Sequence, residues 1–336
     1  MLPALPRVTV VGAGSWGTAL AHVLAEKLPQ VTLWCREEEV AAGIREQRRN
    51  PLFLPDLPVS PHIIPETDLV QAVQGADLLV MVVPTQFTRT MVKDLAPHIS
   101  PNTCFVSASK GVEIDSMTLL SHIYQEVLGD DRRVCFLSGP SFAREVLEGR
   151  PTAVAIAGVD PQLVAAVQSL FHTRYFRTYA SDDVVGVELG GALKNVIALA
   201  AGISDGLAYG FNARAALITR GLVEMIRLGV VLGARKETFA GLSGLGDLLL
   251  TATSDLSRNR SLGVRLGRGE TLQQILGSSR EVAEGVKTVV AVQQLAAKHA
   301  IDMPITNGVY EILYNHRNPR TVVTQLMERT LKSEVE

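Results

Sequence analysis

The sequence predicts an α/β protein in two parts. A doubly wound parallel sheet covers residues 1–181, and an all-α domain covers residues 182–336. Three observations lead there. Through the first half, short β-branched runs alternate with segments of helical periodicity. Those runs are apolar throughout, as strands covered on both faces must be, and strand signals stop after about residue 181. A chain of 336 residues is also too long for one comfortable core and divides naturally in two.

The elements follow in order. "RVTVVGAG" is a β-branched run that ends in glycines, and "SWGTALAHVLAEKL" continues it with helical periodicity. "QVTLWC" gives a second strand and "REEEVAAGIREQRR" a second helix. Prolines at 51, 55, 58, 61 and 65 predict a long surface loop without regular structure. "ADLLVMVV" is a buried strand, "TQFTRTMVKDLAPHI" a helix and "NTCFVSAS" a strand, while "RVCFLSG", "TAVAIAG" and "YFRTYA" extend the sheet. Beyond it, "DDVVGVELGGALKNVIALAAGISDGL", "ARAALITRGLVEMIRLGVVLG", "EVAEGVKTVVAVQQLAAKHA" and "TNGVYEILYN" all have helical patterns. The first is apolar nearly all round, which predicts a helix at the centre of its domain.

Composition narrows the function. The chain is 47% hydrophobic and 20% charged, with a formal net charge of -2. That balance provides no general attraction to nucleic acid or to an anionic membrane. The local basic cluster "RNRSLGVRLGR" suits a small anion instead. The three cysteines (Cys35, Cys104 and Cys135) and seven histidines show no metal-ligand spacing, so no metal is expected. Free cysteines in strand-like runs fit a reducing cytoplasm. No basic segment precedes an apolar core at the N-terminus, and uninterrupted apolar runs fall short of the ~18 residues of a membrane span. A soluble cytoplasmic protein is expected.

In "VTVVGAGSWGTAL", Gly12, Gly14 and Gly17 follow a strand and open a helix, the context a Rossmann-type dinucleotide fingerprint requires. Gly12 permits the turn, Gly14 admits the pyrophosphate close to backbone N–H groups, and Gly17 lets helix and strand pack. The helix dipole then faces the diphosphate. Where an NAD-specific domain has a carboxylate after its second strand, "LWCREEE" has Arg36. An arginine there suits the 2′-phosphate of NADP(H), which is favoured over NAD(H); a solvated arginine at a helix start is the alternative.

Further polar residues end apolar runs, where an α/β sheet presents ligands. "FVSASKG" delivers Lys110, "FLSGPSFA" delivers Gly139, Ser141 and Ala143, and "GLSGLGDLLL" delivers Asp247. "LSRNRS" brings Ser257, Arg258 and Asn259. Each has a plain structural alternative: a loop lysine, a helix N-cap, a solvated face. "GGALKNVIALAAG" sets Lys194 in a run of small apolar residues. It either snorkels to solvent or keeps an amine in a dry place for chemistry.

Taken together, "GAGSWGTALA", "SASKGVE", "GPSFAREV", "ELGGALKNVIALAAGISDGL", "NARAALITRGLVEM", "GLGDLLLTATSDLSRNRSLG" and "AEGVKT" resemble, in order, the NAD(P)-dependent glycerol-3-phosphate dehydrogenase family. The resemblance implies that Lys194 is the proton acceptor and that Lys110 contacts cofactor and substrate. It implies that Gly139, Ser141, Asp247, Ser257, Arg258 and Asn259 line a site for a small phosphorylated substrate. Ser15, Trp16, Arg36, Ala143, Arg258, Val282 and Glu284 would touch the dinucleotide. It also suggests a homodimer and a role in supplying phospholipid backbone. The sequence departs from the family pattern at "NPLFLPD", at Thr85 and at Phe211, which bears on loop geometry more than on chemistry.

Overall fold

Strands of four to six residues that are buried on both faces need covering helices on both sides. The computed structural model, which describes residues 2–129, 134–277, 284–331 and 333–334, places them there. The strands are β1 (Val8–Val11), β2 (Val31–Trp34), β3 (Arg49–Asn50), β4 (Leu54–Pro58), β5 (Ile63–Glu66), β6 (Leu78–Met81), β7 (Cys104–Ser107), β8 (Val134–Ser138), β9 (Thr152–Ala157) and β10 (Phe176–Ser181). The helices among them are α1 (Ser15–Leu24), α2 (Glu38–Gln47), α3 (Leu69–Val73), α4 (Thr85–Leu95), α5 (Leu120–Leu128), α6 (Ala143–Leu147) and α7 (Pro161–Phe171).

Among the described residues, eight strands form one sheet in the order β10-β9-β8-β7-β6-β1-β2-β5. Strand order reverses beside β1, which pairs with β2 on one side and β6 on the other, both parallel. That reversal opens a crevice at the carboxyl ends of the strands, the usual ligand position in such sheets. β1, β6 and β7 are buried at every residue.

Two local expectations are corrected. The proline-rich segment is not an irregular loop: β3 and β4 pair as a small antiparallel ribbon, and β5 joins the main sheet parallel to β2. Proline is tolerated there because an edge strand needs ladder bonds on one side only. The sheet is also not wholly parallel, since β8 and β9 run antiparallel.

The second half contains α8 (Val184–Gly206), α9 (Gly210–Val231), α10 (Asp247–Thr253), α11 (Arg258–Gly267), α12 (Leu272–Gly277), α13 (Glu284–Lys298), α14 (Pro304–Tyr314) and α15 (Pro319–Met327). Every residue of α8 from Gly186 to Ser204 is buried. By length and mean hydropathy α8 could cross a membrane, but 89% of its most apolar window lies inside the protein. It is the axis of the helical core, and Val112 and Leu119, from the loop after β7, are buried in that same core.

Candidate active site

The site forms where α8 meets the carboxyl ends of the strands. A turn over Leu242–Gly246 leads into α10, whose first residue is Asp247. Its side chain is 1% exposed, and two ammonium groups converge on it. Lys194 Nζ donates to Asp247 Oδ1 at 2.5 Å and to Thr251 Oγ1 at 2.9 Å. Lys110 Nζ donates to Asp247 Oδ2 at 2.6 Å and to the Gly139 carbonyl at 3.1 Å. The small residues of α8 now have a reason. A Cβ at Gly191 would come within 2.6 Å of Ser138 Oγ and 3.3 Å of the Lys110 stem, so the glycine makes room for the second lysine.

Lys194 therefore does not snorkel; it is 8% exposed. Burial is the main cause that pulls its pKa down, from 10.5 to about 8, and the Lys110 charge acts in the same direction. The Asp247 carboxylate opposes the shift. Loss of solvation disfavours the ammonium and a neighbouring carboxylate favours it. The result is an amine that changes charge near physiological pH, held by hydrogen bonds in one place.

The basic motif lies on the adjoining helix. Ser257 N-caps α11, its hydroxyl accepting from Arg260 N at 3.2 Å. Arg258 opens α11 and lies within electrostatic reach of Glu284, the first residue of α13. Burial raises the Glu284 pKa, while Arg258, Lys194 and Lys110 oppose that shift. Asn259 Nδ2 donates to Asn195 Oδ1 at 3.0 Å, and its Oδ1 accepts from Gly285 N at 3.0 Å. Ser141 Oγ donates to the Gly139 carbonyl at 2.9 Å, and Ala143 begins α6. Val282 lies outside the described residues.

The glycine loop stands at the end of β1. Gly12 has φ +114°, and a Cβ there would meet the Val82 carbonyl oxygen at 2.6 Å; at Gly17 it would meet the Gly12 carbonyl oxygen at 1.8 Å. At Gly14 it would meet nothing within 4 Å. Open space over an α1 N-terminus without a side-chain cap is a cradle for an anionic group. Trp16 Nε1 beside it is buried without a hydrogen-bond partner among the described residues. These features fit a dinucleotide. Arg36 donates through Nε and Nη2 to Glu37 Oε1 at 2.9 and 2.7 Å. Glu37, the N-cap residue of α2, thus places an acidic group one residue after the arginine, three residues beyond β2.

Thr251, Asn195 and Glu37 escape a reading of the sequence by motif. Thr251 follows Asp247 by four residues on a helix and so shares its face, which is the signal that would have found it. Asn195 directly follows the lysine.

A pyrophosphate cradle on a parallel sheet, joined to a helical domain that brings a buried lysine to the strand ends, is the plan of a dinucleotide-dependent dehydrogenase. The family models for the N-terminus and the C-terminus of NAD-dependent glycerol-3-phosphate dehydrogenase match residues 7–164 and 183–324. This chain belongs to that family. It is 51% identical over 330 residues to a glycerol-3-phosphate dehydrogenase (NAD(P)+) of Geobacter sp. strain M21, covering 98% of both chains. It is 52% identical to the protein of that name from Geobacter sulfurreducens, again over 98% of each. The crystal structure of glycerol-3-phosphate dehydrogenase from Coxiella burnetii superposes with a TM-score of 0.93 at 40% identity, covering 97% of this chain and all of that one.

Proposed function

We propose that this protein catalyses reversible hydride transfer between NAD(P)H and dihydroxyacetone phosphate, giving sn-glycerol 3-phosphate, with Lys194 as the proton donor and acceptor. The observation that carries the reading is the buried amine on Asp247, with a second lysine on the same carboxylate. When bound, the nicotinamide supplies or takes up the hydride. In the reducing direction the Lys194 ammonium gives a proton to the oxygen that becomes the C2 hydroxyl, and in the oxidising direction the neutral amine removes it. Such positioned help contributes ~10²–10⁴ in rate. Asp247 fixes the amine, and Lys110 adds positive charge beside the developing alkoxide.

Arg258 binds the substrate phosphate, with the Ser257 hydroxyl and the Asn259 amide as neutral neighbours. Gly139 and Ser141 shape the opposite wall. Gly12, Gly14, Ser15, Trp16, Gly17 and Ala143 hold the dinucleotide, and Glu284 lies near its nicotinamide end. Arg36 favours the 2′-phosphate of NADP(H), while Glu37 offers an acceptor to the free ribose hydroxyl of NAD(H), a pairing that suits use of both. The wider setting belongs to the same proposal: a cytoplasmic homodimer that supplies the glycerophosphate of phospholipids. The buried thiols of Cys35, Cys104 and Cys135 suit a reducing compartment.

The test is loss of nicotinamide absorbance with dihydroxyacetone phosphate, using NADH and NADPH in parallel and unphosphorylated dihydroxyacetone as control. Turnover that depends on the phosphate group is expected with both cofactors, faster at low concentration with NADPH. Equal turnover of the unphosphorylated ketone would overturn the substrate assignment.

A further inference from the structure

The loop of residues 108–119 carries Lys110 and runs from the sheet into the helical core, where Val112 and Leu119 are buried. A loop spanning two bodies has no ladder of its own to fix it, so its place is set by whatever holds its backbone. Two side chains of α4 hold its middle part. Gln86 makes two bonds to the loop: Nε2 donates to the Val112 carbonyl at 2.8 Å, and Oε1 accepts from Ile114 N at 3.0 Å. One turn further on, Arg89 forks onto Glu113, Nε donating to Oε1 and Oε2 at 3.0 Å and Nη2 to Oε2 at 2.8 Å. Glu113 is 7% exposed and pairs through its backbone with Thr118, which closes the loop on itself.

At the other end, Ser109 Oγ donates to the Val83 carbonyl at 2.5 Å. Gly111 has φ +155°, and a Cβ there would come within 2.7 Å of Thr85 Oγ1, the first residue of α4. Lys110 is thus bracketed on both sides by contacts to α4 and the segment before it, while its ammonium reaches across to Asp247 in the helical half.

We propose that Gln86 and Arg89 are positioning residues for the reaction: through the backbone at Val112 and Ile114 and through the Glu113 carboxylate they set where Lys110 meets Asp247, and hence the substrate. A bidentate amide clamp and a guanidinium fork resist both translation and rotation of the loop, which single bonds would not. A shift of about 1 Å in a catalytic group costs ~10²-fold in rate, so loosening the clamp should appear in catalysis before it appears in folding. The proposal rests on the role given to Lys110 above.

The experiment is a double-mutant cycle on the full chain. Gln86→Ala and Arg89→Met are each made in the parent and in Lys110→Ala. Melting temperature, dissociation constant for NADPH by fluorescence, and kcat/KM for dihydroxyacetone phosphate are measured for each. In the parent, both variants are expected to keep NADPH affinity and lose ~10–100-fold in kcat/KM. In the Lys110→Ala background the same changes should cost no more than about twofold, because the group they position is gone. Equal losses in both backgrounds, or no loss in the parent, would overturn the clamp while leaving Lys110 in the site. Parent-like kinetics for Lys110→Ala alone would instead remove Lys110 from the site and the clamp with it. Gln86→Ala alone, which removes only neutral bonds, decides the matter if Arg89→Met does not fold.

Discussion

Replacing Asp247 by asparagine should move the proton chemistry of Lys194 toward lower pH. Burial is what draws the amine down to about 8, and the Asp247 carboxylate, bonded at 2.5 Å, holds it up against that pull. An opposite charge in contact shifts such a group by about 1–3 units, so the neutral amide should let the value fall by that much. The sign follows from which form works. Below its pKa Lys194 is an ammonium and cannot accept a proton, so with Lys194 as the proposed base, oxidation of glycerol 3-phosphate should rise with pH and level off above about 8 in the parent. In Asp247→Asn the same rise should finish about 1–3 units lower, and the fall in ketone reduction at high pH should begin earlier by the same amount. The plateau rate drops as well, because both lysines lose a strong anchor. The assay is the pH profile of kcat/KM in both directions, with NADPH affinity as a check on folding. An inflexion that stays in place or moves upward would refute the electrostatic reasoning.

Two further changes test other parts of the structure. Arg258→Ala removes the proposed charge-assisted partner of the phosphate and should raise KM for dihydroxyacetone phosphate by ~10–100-fold, with a smaller effect on kcat; an unchanged KM would take Arg258 out of the substrate site. Glu188 is buried on α8, accepts from Ser121 N at 3.0 Å, and has its carboxyl pushed up to about 7 by burial. Its contribution to stability is present below the ordinary carboxyl range and is lost as pH rises through 7. Glu188→Gln, which keeps the accepting oxygen, should therefore raise the melting temperature more at pH 8 than at pH 5, with an upper limit on the order of 3 kcal/mol. An equal gain at both pH values would contradict it.

The parts that could be read in the sequence are those whose causes are local. The glycine fingerprint lies in six consecutive residues; Gly12 and Gly17 are each required by an atom one strand or a few residues away, and Gly14 leaves open space beside them. The buried strands announced themselves because covering on both faces demands continuous apolar runs. Direction of pairing left no such mark, so the antiparallel β8 and β9 were not foreseen. Prolines misled for a related reason: they forbid interior strands, but β5 is at the edge. The proposed catalytic cluster lay furthest from view. Lys110 and Asp247 are 137 positions apart, and Lys194 and Asp247 are 53 apart. Only the resemblance to a family brought them together, since no spacing rule joins a loop after β7 to a turn before α10. Thr251 and the Gln86–Arg89 clamp look in sequence like ordinary helix residues, and their partners make the difference.

The most direct measurement is turnover of Lys194→Met, compared with the parent at saturating NADPH and dihydroxyacetone phosphate. Methionine keeps the length and suits the buried setting, so the fold and NADPH binding should survive while the proton carrier is gone. A loss in kcat of ~10²–10⁴ is expected, with a pH profile that lacks the inflexion near 8. Turnover close to the parent's, with the inflexion still present, would show that the proton travels through another group.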